Sequence, residues 1–316
     1  MTEILLAFWD GAFGSAFAFW SATLVRATPL LFVGLAVALA FRAGVLNIGA
    51  EGQLLLGAIG ASVIALKFPD GPRALVLPLM MLAGMIGGAV WAGIAALLRR
   101  RFGVLEVIST IMLNFVALAL LGWIVRGPLQ EPTKVYPMSS SFTVSAQLPF
   151  LVPGQRLHLG FALGLAIALF LWYMLARTAR GFRIRAIGLG ARAATSAGGI
   201  HAESLSARVF VVSGAIAGLG GASEVGGVTW ALYEGLSPGY GYTAIAVALL
   251  ARLDPRWVVV TAVFFGALEA GGASMQREAG VPAVAVQIIT ATLLLGVLAL
   301  ARWQQLRAAR MATEGA

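Results

Sequence analysis

The sequence predicts an all-α integral membrane protein of about ten transmembrane helices, some short or broken, with both termini in the cytoplasm. Composition points there first: the 316 residues are 60% hydrophobic and 11% charged, against roughly half and a quarter in soluble domains. Mean hydropathy is +0.91. Apolar runs also recur at lengths near the ~20 residues that a helix needs to cross a ~30 Å hydrocarbon layer. About 190 hydrophobic residues leave room for nine or ten such spans and little soluble structure.

The elements follow in order. The first run, 4–23, has Glu3 and Asp10 near it but no Lys or Arg to form a signal-peptide n-region, so it reads as a membrane helix. The run 27–41 follows Arg26 and is short for a span. The next, 46–66, begins in a glycine-interrupted stretch, and 75–98 ends at Arg99-Arg100-Arg101. The run 104–125 leads into 127–157, where Pro128, Pro132, Pro137, Pro149 and Pro153 mark an extracytoplasmic loop over the mouth of the protein. After 158–176 comes a basic cytoplasmic stretch, then 205–222. The run 240–251 is too short to span unaided, which suggests a broken helix, and 256–272 and 283–301 complete the set. Residues 1–302 thus read as one membrane domain, and 303–316 as a short cytoplasmic tail.

Charge tests this arrangement. The net charge of +9 does not mark a nucleic-acid binder, because no basic stripe with interleaved aromatics runs along any element. With an inside N-terminus and ten spans, 15 of the 22 Lys and Arg residues fall in cytoplasmic segments and seven outside, as short retained loops require.

The sequence also excludes chemistry. It has no cysteine, so no disulfide framework or thiolate metal site. His158 and His201 are too far apart in sequence to suggest paired metal ligands. No P-loop or His-Glu-x-x-His pattern occurs. No catalytic residue and no cofactor are expected in this chain, and an ATP-driven activity needs a partner.

Three polar stretches stand out. In Gly44–Gln53, glycines 44, 49 and 52 interrupt the apolar pattern, and Asn47 and Glu51 lie four apart, the spacing of one helical face. Either they line a cavity at membrane depth, or Asn47 caps the following helix with Glu51 in its first turn. In Glu106–Asn114, the residues Glu106, Thr110 and Asn114 form one polar stripe, which either lines a pathway or bonds neighbouring backbone and helices. The stretch 181–200 contains an Ala-rich segment bounded by glycines; it is a solvated basic loop or a short helix suited to docking in another protein's groove. Glu224 and Glu269 are further acids near the membrane. The pairs Gly84/Gly88, Gly160/Gly164 and Gly214/Gly218 have the spacing of close helix packing.

Together, Gly44–Gln53, Glu106–Asn114, Arg185-Ala186-Ile187-Gly188 and Gly239–Leu250 resemble the permease subunits of bacterial ABC importers in the branched-chain amino acid and simple sugar group. They are most similar to the nucleoside-type permeases that work with a basic membrane lipoprotein. The resemblance implies a multi-pass subunit of the bacterial cytoplasmic membrane that imports nucleosides or nucleobases. Sugar or branched-chain amino acid import is the alternative within the group, and an ion-coupled secondary transporter the alternative outside it. It implies a second, related permease, a cytoplasmic ATPase with two nucleotide-binding halves that carries ATP and Mg, and an extracytoplasmic substrate-binding lipoprotein. The substrate path would lie between the permeases, with Asn47, Glu51, Gln53, Glu106, Ser109, Thr110 and Asn114 as candidates. The segment 181–200 would couple to the ATPase through Arg183, Arg185, Gly188, Arg192, Ala193, Ala194 and Gly198. Relatives often carry a polar residue where Leu189 and Gly190 stand here.

Overall fold

The computed structural model describes residues 2–282 and single positions between 284 and 296. The expected segment 283–301 and the tail 303–316 therefore lie outside the described residues, those single positions apart. Within them the chain runs as α1 (Thr2–Ala12), α2 (Ala18–Arg42), α3 (Ala50–Lys67), α4 (Arg73–Phe102) and α5 (Glu106–Val125), then α6 (Leu159–Arg177), α7 (Ala179–Gly198), α8 (Ala202–Thr229), α9 (Tyr240–Leu250) and α10 (Pro255–Glu278). Seven of these, α2 to α6, α8 and α10, are long and apolar enough to cross a membrane.

One expected element is corrected. The run 4–23 is not a single helix: α1 stops after 11 residues, about 16 Å and too short to cross alone. Helix resumes at Ala18 and continues through Arg26 without the expected break. Gly11 and Gly14 weaken the helix where it ends, and the Thr23 hydroxyl donates to the Ala12 carbonyl at 2.8 Å, tying the end of α1 to α2. A π turn, Ala18–Thr23, opens α2, and a second, Val225–Thr229, closes α8.

Long-range bonds sort the loops onto two ends, as the charge count expects. At one end Arg42 donates to the Leu253 carbonyl at 3.0 Å. At the other, Leu148 N donates to the Gly226 carbonyl at 2.7 Å, Ser139 N to Leu232 at 2.8 Å, and Arg126 pairs with Glu234 at 2.6 Å. These pairings fold 127–157 over the outer end.

The core forms around α2, largely apolar and buried along most of its length, as expected of a helix surrounded by others. Beside it, Gly84 and Gly88 of α4 face Gly214 and Gly218 of α8. A Cβ on Gly88 would strike the Gly214 carbonyl, and one on Gly57 of α3 the Gly218 backbone. Three helices thus meet backbone to backbone, which is how membrane helices associate when lipid offers no hydrophobic drive.

Candidate functional site

The break between α2 and α3 is built by Gly44, whose φ of +74° turns the chain after Arg42. Asn47 is fully buried there. Its Nδ2 donates to Gln53 Oε1 at 2.9 Å and to Ser213 Oγ at 2.8 Å; Gln53 Nε2 returns a bond to Asn47 Oδ1 at 3.0 Å. Ser213 Oγ in turn donates to the Ala36 carbonyl at 2.7 Å. The network satisfies its own members, as buried polar groups in a low-dielectric setting require. Asn47 precedes α3, so it neither caps that helix, whose N-cap is Gly49, nor shares a helical face with Glu51.

Glu51 reaches a different helix. Its Oε2 accepts from Gly241 N at 2.5 Å, at the start of α9. Ser237 Oγ accepts from Gly239 N at 3.2 Å and Tyr240 N at 3.0 Å. A helix that begins at membrane depth exposes N–H donors that hydrocarbon cannot satisfy; here a carboxylate and a hydroxyl satisfy three of them. A Cβ on Gly241 would meet the Glu51 backbone, so α3 and α9 approach closely only with glycine there.

The α5 stripe closes over the same break. Glu106 Oε1 accepts from Leu46 N at 3.1 Å. Ser109 and Thr110 donate to the Glu106 carbonyl at 3.1 and 2.7 Å, and Gly49 lies against the Thr110 side chain. Asn114 Oδ1 accepts from Gly52 N at 2.9 Å, while its Nδ2 donates to the Ile48 carbonyl at 2.9 Å and the Tyr242 hydroxyl at 3.3 Å. The structure therefore brings both polar stretches together, and their hydrogen bonds go to the protein itself.

At the inner end, Thr178 caps α7 by accepting from Gly181 N at 3.1 Å. Gly190 is non-helical and divides α7, and Gly199 ends it in the left-handed region. The expected short Ala-rich helix bounded by glycines is present as 191–198. The first half is anchored: Ile184 and Ile187 are buried, Arg185 bonds the Leu175 carbonyl, and Gly188 lies against the Arg42 carbonyl and Gly44. Arg183, Arg192, Ala193 and Gly198 are exposed, Ala194 is half-buried, and Leu189 at the kink is 93% exposed.

At the outer end a cavity of ≈ 360 Å³ gathers Arg26, Arg156, Glu224, Tyr233 and Tyr240. Of these the sequence pattern singled out Glu224 alone. The two arginines served only as markers of the outer side, and the π turns that bend their neighbours into place have no sequence signature that we recognise.

Comparison with known proteins agrees with this architecture. The family described as branched-chain amino acid transport system / permease component matches residues 19–299. The chain is 40% identical to the glucose ABC transporter permease protein TsgB13 of Haloferax volcanii over 282 residues, 86% of this chain and 74% of that one. It is 37% identical to the guanosine ABC transporter permease protein NupP of Bacillus subtilis over 295 residues, 92% of this chain and 84% of that one. A second guanosine permease protein of the same organism, NupQ, is 28% identical over 256 residues, 78% of each chain. On this coverage the chain belongs to the branched-chain amino acid transport system permease family, and it is a multi-pass ABC permease subunit of the inner membrane.

Proposed function

We propose that this permease imports nucleosides or nucleobases. The observation that carries the substrate class is likeness to a guanosine permease across 92% of the chain. The small charged fraction of the chain, 11%, supports a neutral substrate. A glucose-type substrate is the second reading, favoured by the 40% identity to TsgB13.

Its partners in this reading are a second, related permease, an ATPase with two nucleotide-binding halves that holds ATP and Mg, and an extracytoplasmic lipoprotein that delivers substrate to the mouth beside 127–157. Two unequal guanosine permease proteins in one organism support a heterodimer. The exposed Leu189, carried on a kinked helix whose first half is anchored against Arg42, suits insertion into an ATPase groove. Motion of that helix would reach the 44–53 break directly through the Gly188–Gly44 contact.

The substrate class is tested by binding of guanosine, adenine, glucose and leucine to the lipoprotein that serves this permease. Binding of guanosine in preference to glucose and leucine is expected. Binding of glucose with no nucleoside or base would overturn the substrate class and leave the permease assignment untouched.

A further inference from the structure

Around the outer cavity the polar groups behave unlike those of the 44–53 break. Glu224 is 5% exposed and Tyr240 8%, yet among the described residues neither side chain makes a hydrogen bond or ion pair, and neither does the Arg156 guanidinium. Arg26 reaches only its own helix, at 3.3 Å from the Ala22 carbonyl. Polar groups with no partner inside the protein need one from the space they line, either solvent or a bound molecule. Groups held apart in this way around one space are suited to a ligand that supplies the missing partners.

The local backbone is unusual at the same place. π turns make up well under 1% of residues in folded proteins and concentrate at functional sites. Both π turns among the described residues border this cavity, one through Ser21 and the other through Val228 and Thr229. Directly after the second, Trp230 has φ +50°, a left-handed conformation that a bulky residue keeps only under constraint. The Ser21 hydroxyl accepts from Arg156 N at 2.9 Å and donates to Gln155 at 2.8 Å, so the outer loop is fastened to the cavity rim.

We propose that this cavity, walled by Arg26, Glu224, Tyr233 and Tyr240 within one permease subunit, binds the uncharged nucleoside on its way from the extracytoplasmic mouth into the membrane. The proposal deepens the nucleoside reading and rests on it. A volume of ≈ 360 Å³ falls within the roughly 300–1,000 Å³ of small-molecule sites. Two aromatic rings offer faces for a base, while guanidinium, carboxylate and phenol groups match ring nitrogens, carbonyls and ribose hydroxyls. Glu269 lies within electrostatic reach of Glu224 and Arg26.

Because the sequence has no cysteine, Val228→Cys places a single thiol on the cavity wall. In the assembled transporter, a membrane-impermeant maleimide added outside should label it, and saturating guanosine should slow labelling about fivefold or more, whereas leucine should not. An unchanged labelling rate while the same variant still takes up guanosine would overturn the site and leave the transport reading standing. Absence of guanosine uptake by the unmodified transporter is a separate result that removes the substrate reading instead. Should Val228→Cys not assemble, Glu224→Gln and Tyr233→Phe decide the matter. Each is expected to lower guanosine uptake about tenfold, the size of one lost ligand hydrogen bond, with normal co-purification of the partner subunits. Uptake within about twofold of the unmodified transporter in both variants contradicts the proposal.

Discussion

The Glu51 carboxylate in the first turn of α3 accepts a hydrogen bond from Gly241 N in the first turn of α9, 2.5 Å away and 190 residues later in the chain. Two interruptions of the membrane helices thereby support each other. Asn114 on α5 touches both, through Ile48 and Gly52 on one side and Tyr242 on the other. The broken helix α9 can start within the bilayer because another helix supplies the acceptor that its N-terminus needs.

Removing that acceptor should loosen α9. Glu51→Ala is expected to cost about 1–3 kcal/mol, the usual effect of stranding a buried donor bonded to a charged group. Glu51→Gln keeps a side-chain oxygen and should cost less. Thermal unfolding of the purified transporter in detergent reads both, and equal melting of all three proteins would show that α9 does not depend on this cap.

The glycine seam makes a sharper steric prediction. A Cβ at Gly218 would run into the Gly84 carbonyl, so Gly218→Ala should destabilise by about 1–3 kcal/mol through overpacking. Gly93 on α4 faces open space, so Gly93→Ala should be neutral or stabilising by up to about 1 kcal/mol. The same melting assay applies, and similar responses at the two positions contradict the seam.

Asn47 and Gln53 exchange two hydrogen bonds in a closed network. Each single change to Leu strands the other amide, at about 1–3 kcal/mol. The double variant should cost less than the two singles added, with a coupling of about 0.5–3 kcal/mol. Strict additivity in this double-mutant cycle would mean that the pair is not coupled.

Asp254 caps α10, its Oδ1 accepting from Arg256 N at 3.0 Å. The Arg256 guanidinium bonded to it holds the carboxyl below its ordinary range. A group depressed on folding stabilises the protein above its unfolded-state pKa and loses that contribution as pH falls through the folded-state value. Stability should therefore decline below about pH 4, and Asp254→Ala should flatten that acid slope while costing about 0.5–2 kcal/mol at neutral pH. The exposed ion pair itself contributes little through solvent screening. An acid slope unaltered by the substitution rules Asp254 out as its source.

Much of the architecture is legible in the sequence because its signals are local. Apolar run length and loop charge place the loops on two ends, and the four-residue spacing of Glu106, Thr110 and Asn114 marks a face that the structure turns to the 44–53 break, with Thr110 and Asn114 buried there. The glycines flanking the Ala-rich stretch foretell its short helix, while its junction with 179–189 through the kink at Gly190 is a finding of the structure. What local signals could not supply was pairing between distant segments. The spacing of Asn47 and Glu51 suggested one helical face, but the chain enters helix only at Ala50, so their partners are Ser213 and Gly241. Arg26 read as a loop residue because a charge at that point looked like the end of a span, whereas the α2 helix runs through it and turns it toward the outer cavity. The early stop of α1 had local signals in Gly11 and Gly14, but the bond from Thr23 that ties its end to α2 joins segments that the sequence pattern reads as one run.

The central claim, ATP-driven import of a nucleoside through this permease, is tested most directly by guanosine uptake into proteoliposomes that hold the permease pair, its ATPase and lipoprotein. Accumulation should require ATP on the ATPase side. Leu189→Glu should abolish it without lowering the melting temperature, because a side chain 93% exposed contributes little to the fold. Guanosine uptake that persists without ATP, or that is unaffected by Leu189→Glu, contradicts the account.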